Sequence, residues 1–537
     1  MTPISRDAIS RRMFLAGAAA VAVTACSDDS TPSAPTTSTN AAPTKPSSTT
    51  ASTTTTSATT LPSIELAADP FTLGVASGDP DTDSVVLWTR LAPLPLEGGG
   101  MPADDVPVLW EASATDDFAS IAASGQEVAK ADSGHSVHAF AELPQGTWFY
   151  RFRVGQYTSP TGITRVAPTD ATEVRFAAAS CQHYEAGYYA AHRDLAEHAP
   201  DFTLWLGDYI YEDAGTVGGD PAARIHLDAE PTTLEQYRNR YARYKTDANL
   251  QAAHASCPWF VIWDDHEVEN NYAGLLPQEP DDLSEFEARR FAAYTAWWEH
   301  QPVRLPPPAA AGEEYRIYRD ATWGELLTLV LLDGRQYRSD QACGDAVLDL
   351  EPACAEAADP SRTMLGDAQE QWLVDTLTDS SAQWNVIGNQ VVMANATLNG
   401  AVLNYDQWDG YPVARERLLA SLDTAGIQNL IVVTGDIHLA AVAHLRTDDA
   451  AVGVEFVTTS ISSGANLDPQ LTDLLKSFPD LVDAELAHRG YTLHTVTPDL
   501  WTAEYRVVTD VASLDSEVTT YSTYVVESGS NTVAPAP

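Results

Sequence analysis

The chain has 537 residues, 44% apolar and 9% aromatic, with 30 basic against 75 acidic side chains and a net charge of −45 at neutral pH. That length exceeds one hydrophobic core, and the apolar content excludes a chain disordered throughout, so two domains are expected. The acidic excess excludes nucleic-acid backbone binding by a basic face and suits an exported protein, though it carries no information about fold.

The first residues read as a targeting segment, 1–26. Ser10-Arg11-Arg12-Met13-Phe14-Leu15 has the twin-arginine pattern, and the apolar stretch over 15–23 is too short for a permanent membrane span. Val23-Thr24-Ala25-Cys26 resembles a lipobox in which Cys26 would carry lipid; the alternative is an ordinary cleavage site preceded by small residues. Twin-arginine export carries folded proteins, often with cofactor inserted, which favours a metalloprotein. Residues 27–65 are almost entirely Ser, Thr, Pro and Ala. Such a tract has too little apolar surface to offset chain entropy and reads as a disordered linker, suited to a tether.

Residues 66–168 carry only β signals. The runs 84–89, 106–111 and 148–154 are short, apolar and aromatic, and turns rich in Gly, Pro and Asp separate them. They predict a small fibronectin-III-like sandwich. His135 and His138 lack an acidic or Cys partner at ligand spacing and read as surface residues.

Residues 169–515 alternate strand-like and helical runs, and 516–537 reads as a C-terminal tail. The central stretch is Leu204-Trp205-Leu206-Gly207-Asp208-Tyr209-Ile210-Tyr211-Glu212, in which an apolar run breaks at a glycine and delivers an aspartate, then a tyrosine three residues on. Alone, this reads better as an Asp capping the next helix. The arrangement recurs, however. Residues 174–179 run into Ser180-Cys181, 259–263 into Asp264-Asp265-His266-Glu267, and 430–434 into Gly435-Asp436-Ile437-His438. Residues 326–332 end in Asp333-Gly334-Arg335-Gln336-Tyr337-Arg338, and 384–387 in Gly388-Asn389-Gln390. With helical stretches at 188–198, 233–244 and 286–300, these read as strands of βα units whose carboxyl ends converge, where α/β sheets bind ligands. The aromatic stripe Phe286, Phe291, Tyr294 and Trp298 reads as core packing.

The cysteines sort by position. Cys343 and Cys354 are the best disulfide pair of an exported chain, and Cys257 reads as a buried small hydrophobe. Cys181 ends a strand beside acidic strand ends, where a metal would hold its thiolate. Asp208 can bridge two cations. Cys181, Tyr211 and His438 offer S, O and N donors that suit a trivalent or transition metal, while Asp265, Asn271 and Asp436 offer oxygen alone, which suits a hard ion such as calcium. Two adjacent cations would clamp a phosphate and acidify a bound water. Arg335 and Arg338 could bind phosphate oxygens bidentately or form ion pairs.

These motifs, with Phe71-Thr72-Leu73-Gly74-Val75-Ala76-Ser77-Gly78-Asp79-Pro80, resemble the PhoD-type alkaline phosphatases, exported members of the metallophosphatase superfamily that includes purple acid phosphatases. The resemblance covers the leader and nearly all of the folded chain. It implies an α/β fold, a central β-sandwich flanked by helices behind the small all-β domain. It implies hydrolysis of phosphomonoesters and phosphodiesters for phosphate acquisition, with Fe3+ and Ca2+. By that resemblance Cys181, Asp208, Tyr211 and His438 would hold iron, and Asp265 or Asn271, Asn389 and Asp436 calcium. His266 would sit over the phosphate as proton donor or oxyanion stabiliser. The expected partners are small or polymeric phosphate esters and the twin-arginine machinery, with a lipid anchor at Cys26, no specific nucleic-acid binding, and a monomer. The alternatives are a phospholipase D-like or teichoic-acid-directed phosphodiesterase, or an inactive cell-surface binding protein.

Overall fold

Alternation within single strands dictates the layering. In the strand Leu430–Thr434, Ile431 and Val433 join one core cluster with Phe176, Leu204 and Phe456, while Leu430 and Val432 join another with Leu373, Leu377, Leu418 and Leu422. A period of two thus buries one face of this sheet against a second sheet and the other against helices. The computed structural model describes residues 66, 68–214, 224–278, 283–347, 351–398, 400–448 and 450–537. Arg11, Arg12, Cys26 and the Ser/Thr-rich stretch therefore lie outside the described residues.

The larger sheet has ten strands. Its centre is parallel: Val174–Ala179, Phe202–Trp205, Pro258–Val261 and then Val75–Gly78 lie side by side. Ser84–Arg90 and Ser136–Glu142 extend it on one side, Arg489–Val496, Leu500–Val508, Val518–Glu527 and Val533–Pro535 on the other. The facing sheet has seven strands, with Leu327–Leu331, Trp384–Gly388, Leu430–Thr434 and Ala451–Val457 parallel at its centre. The helices Gly366–Asp379 and Pro412–Ala425 cover its outer side through Leu373, Leu377, Leu418 and Leu422. The helix Leu234–Lys245 starts at a capping box between Thr233 and Gln236.

The N-terminal all-β region packs a second sheet, centred on Val106–Ser113 and Gly146–Val154, over Val75, Val85 and Leu87. One wall of this sandwich is therefore the edge of the large sheet. The junction requires Gly78, where a Cβ would stand 2.2 Å from the Pro302 carbonyl oxygen. Residues 516–537 correct the expectation of a tail: the alternating pattern of Val518–Glu527 pairs antiparallel with Leu500–Val508, and Val533–Pro535 adds the outermost strand. His135 and His138 are not surface residues either. His135 is buried with Nε2 3.0 Å from the Asp104 carbonyl, and His138 stacks on Trp298 with ring centroids 4.4 Å apart. Cys343 and Cys354 form a disulfide, and Cys257 is a buried free thiol, as expected. Among the described residues no helix is long and apolar enough to cross a membrane.

His494 sits between the two sheets, stacked on Phe176, edge-on to Phe456, and accepting at Nδ1 from Trp501 Nε1 at 3.0 Å. Burial lowers its pKa to about 3. The unfolded chain takes up this proton below about 6.5 while the folded chain refuses it, so His494's contribution is full above that pH. It falls by about 1.4 kcal/mol per pH unit on acidification. His494→Gln, which retains an acceptor for Trp501, should lose about 2 kcal/mol less than the native chain between about pH 7 and pH 5 in denaturant titrations. Equal losses would mean that the imidazole is charged in the fold.

Candidate metal centre

Where the strands end, the backbone turns left-handed. Cys181 (φ 59°), Asp208 (58°), Asn271 (53°), Asp436 (65°) and His438 (55°) all adopt this conformation without being glycine. Each costs about 1–2 kcal/mol against the ordinary right-handed or extended form, so the surrounding structure over-determines them. The loops cross closely. At Gly207 (φ 118°) a Cβ would stand 2.4 Å from the Asp264 Cβ, which accounts for the glycine before Asp208.

Donor atoms of Cys181, Asp208 and His438 lie within 4.8 Å of one another, as do those of Asp208, Asp265 and His266, and those of Asp264, Asp265 and Asp436. The larger sheet brings Cys181, Asp208 and Asp265; the smaller brings Asn389, Asp436 and His438. Tyr211 Oη lies 2.8 Å from Asp208 Oδ2 and 3.0 Å from His438 Nε2. His438 Nδ1 donates to the Gly464 carbonyl at 2.7 Å, which turns the lone pair of Nε2 towards that hydroxyl. Burial holds this imidazole neutral, with its pKa lowered to about 3. A phenol has one proton, so it cannot satisfy both Asp208 and His438. A cation among these atoms would remove the conflict.

The protonation chemistry agrees. Burial, then Asp208 and Asp436, push the Cys181 thiol well above its ordinary value. Burial, then Asp208 and Cys181, do the same to Tyr211. Burial also raises Asp208, and burial with Asp406 and Asp265 lifts Asp436 to about 6. Bound cations would reverse each of these shifts. Asp208 Oδ1, Asp264 Oδ2 and Asn389 Oδ1 are buried and have no hydrogen-bond partner among the described residues, and Asn389 spends its amide N–H on the Val391 carbonyl at 2.6 Å. The donor set therefore fits metal ions: mixed S, N and O on the Cys181 side, oxygen alone on the Asp265 side.

Of the two alternatives, Asp265 takes part in both oxygen-rich groups. Asn271 donates its backbone N–H to Asp265 Oδ2 at 2.7 Å and turns its side-chain amide to Asp345 Oδ2 at 2.9 Å. Of the two alternatives open for Arg335 and Arg338, phosphate binding or ion pairing, the structure shows ion pairs. Arg335 is fully buried, paired with Asp264, bidentate to Asp406 at 2.7 and 2.8 Å, and 3.6 and 3.7 Å from Asp265 and Asp436. Arg338 reaches the same Asp406 carboxylate at 2.6 Å. The Arg335 guanidinium is committed to carboxylates, whereas Arg338 gives Nη1 to Asp406 and Nε to the Gly334 carbonyl and keeps Nη2 without a hydrogen-bond partner among the described residues.

His266 packs against the Tyr211 ring, centroids 4.1 Å apart, and its Nδ1 is 2.7 Å from Glu212 Oε2. Burial opposes its charge, but Glu212, Asp265 and Asp208 outweigh burial and raise its pKa well above the ordinary value. Glu212 also accepts from the Asn270 N–H at 2.7 Å and is buried. Sequence reasoning missed Glu212, Asp264, Asp406, Gln407, which donates to Asp436, and Ser463, whose Oγ lies 2.8 Å from Tyr211 Oη, as parts of the centre. Glu212 alone had a signal, standing next to Tyr211; the others lie outside the glycine-aspartate strand ends or were passed over beside Asp265. Glu212→Gln should cut turnover by about 10- to 100-fold, with the fold retained, because it leaves His266 without its counter-charge. Steady-state kinetics with near-ultraviolet circular dichroism will check this; native turnover would make Glu212 a structural residue only.

Residues 176–505 match the family described as PhoD-like phosphatase, and residues 54–168 match its N-terminal domain. Alkaline phosphatase D of Bacillus subtilis (strain 168) is 44% identical over 476 residues, covering 85% of this chain and 81% of that protein. A solved PhoD structure superposes with a TM-score of 0.84 at 41% identity, covering 88% of this chain and 94% of its own. A purple acid phosphatase from yellow lupin seeds shares the fold alone, with a TM-score of 0.52 at 10% identity over 84% of this chain and 74% of its own. Similarity of this extent, along both the β-region and the metal-centre region, means that the chain belongs to the PhoD-like phosphatase family.

Proposed function

We propose that this phosphatase is an exported hydrolase of phosphomonoesters and phosphodiesters, serving phosphate acquisition, with ferric iron held by Cys181, Asp208, Tyr211 and His438. Calcium would be held by Asp265, Asn389 and Asp436, and Asp208 offers oxygens to either ion. The observation that carries this reading is the Tyr211 hydroxyl facing Asp208 and His438 at once, beside a group of carboxylates with buried, unpartnered oxygens. When bound, the cations supply charge neutralisation for the phosphate and acidity for a water.

The chain's own residues do the rest. His266, charged and fixed by Glu212, is the proton donor to an ester oxygen or the stabiliser of charge developing on phosphate. Its Nδ1 is engaged by Glu212, which leaves Nε2 for that task. Arg335 and Arg338 hold Asp264 and Asp406, Asn271 holds Asp265 through its backbone, and Gln407 Nε2 holds Asp436 Oδ2 at 2.6 Å.

A tyrosinate on ferric iron donates electron density to the metal and absorbs visible light, and a neighbouring thiolate adds to it. The iron-loaded protein should therefore be coloured, and Tyr211→Phe should bleach or shift the band without unfolding the chain. A calcium-selective chelator should abolish hydrolysis reversibly. Full activity after exhaustive chelation, or an unchanged Tyr211→Phe spectrum, would refute the metal assignment.

The leader supports export. Arg11→Lys combined with Arg12→Lys should retain the protein in the cytoplasm with its catalysis unchanged, and Cys26→Ser should move it from the membrane fraction to the soluble one. Cell fractionation reads both; native distribution of either variant would overturn the corresponding assignment.

A further inference from the structure

Beside the metal centre lies an apolar cavity of about 80 Å³. Ala441 and Ala443 from one strand, Leu439 just before it, Val457 from the next strand, and Leu475 and Leu481 beyond them form its hydrocarbon wall. Two further residues of the wall belong to the centre as well. Gln407 holds Asp436 Oδ2, and Ile437 stands in the chain between Asp436 and His438. Two polar residues of this wall, Gln407 and Asp409, spend their atoms elsewhere. Gln407 also accepts from the Val392 N–H at 2.7 Å, and Asp409 pairs with Arg415 and accepts from the Ala396 N–H at 3.0 Å. An occupant therefore meets mainly hydrocarbon, with Asn404, whose Oδ1 accepts from the Asp406 N–H at 2.9 Å, and the exposed Asn466 as the other polar residues of the wall. Val347, half exposed, also lines the cavity.

We infer that this cavity is the subsite for a short alkyl group carried by the phosphate ester, an inference that rests on the phosphatase reading above. Gln407, which holds Asp436 Oδ2, and Ile437, between Asp436 and His438, both line the cavity, so an alkyl group on an ester bound at the centre would find its adjoining apolar space there. A ring needs more room: apolar cavities that hold benzene are about 150 Å³. The space suits a linear chain of about three or four carbons.

The test uses metal-loaded, full-length protein and a series of alkyl 4-nitrophenyl phosphates, in which the leaving group is constant and the alkyl ester grows from methyl to octyl. Burial of each methylene is worth up to about fourfold, so kcat/KM should rise about two- to fourfold per carbon as far as butyl and then level off. Ala443→Leu, which fills the cavity, should flatten the rise while leaving hydrolysis of the methyl ester and of 4-nitrophenyl phosphate unchanged. Leu475→Ala, which enlarges the cavity, should move the plateau to longer chains, and it serves if the filled variant does not fold. A flat series in the native protein, with the methyl ester still hydrolysed, would overturn the subsite and leave the phosphatase reading intact. Hydrolysis of no ester at all would overturn that reading and the subsite with it.

Discussion

Arg335 is the charge on which the centre depends. It has no solvent exposure and faces Asp264, Asp265, Asp406 and Asp436. Removing a guanidinium and carboxylates from water costs several kcal/mol per ion, which only close, hydrogen-bonded pairing offsets. The arginine holds Asp265 below the usual carboxylate range against the effect of burial, yet Asp264 and Asp436 remain raised. One guanidinium thus neutralises part of the cluster. The negative charge left over is what cations of the Asp265 side would meet, so ion pairing and metal binding are divided among the same carboxylates.

The ligands come from strands of two different sheets. Neither sheet holds a complete set, and the positions are kept only by the packing that joins Phe176 and Leu204 to Val386, Ile431 and Phe456. Assembly of the core and assembly of the centre are consequently one event. The left-handed conformation of Cys181, Asp208, Asp436 and His438 belongs to the same logic: a strained backbone persists where two packed layers fix both flanks.

Much of this was legible because the relevant signals are local. Apolar runs ending in Gly-Asp or Ser-Cys announce buried strands and place Cys181, Asp208, Asp436 and His438 at their ends, and the strands fall within a residue or two of their expected bounds. What was not legible is set at long range. Arg335 looks the same whether it binds a phosphate or a carboxylate, and the choice is made by Asp406, 71 residues away on a loop with no periodic pattern. The segment 516–537 is polar enough to read as a tail, yet Leu500–Val508 offers it an open edge. His135 and His138 have no ligand partner in sequence, and the carbonyls that bury their polar atoms, those of Asp104 and Gln301, are equally invisible there.

The parallel pairing of Val75–Gly78 with Pro258–Val261 also decides what the molecule can be divided into. A row of unpaired N–H and C=O groups is a template for another strand. A fragment cut at the sequence boundary near residue 168 would expose such a row along Pro258–Val261, only four residues long but flanked by the large apolar surface of Trp259 and Phe260. The β-region is thus less an appended module than a lid on a sheet edge. Two polypeptides expressed separately would be expected to reassociate through that edge, or, lacking each other, to self-associate.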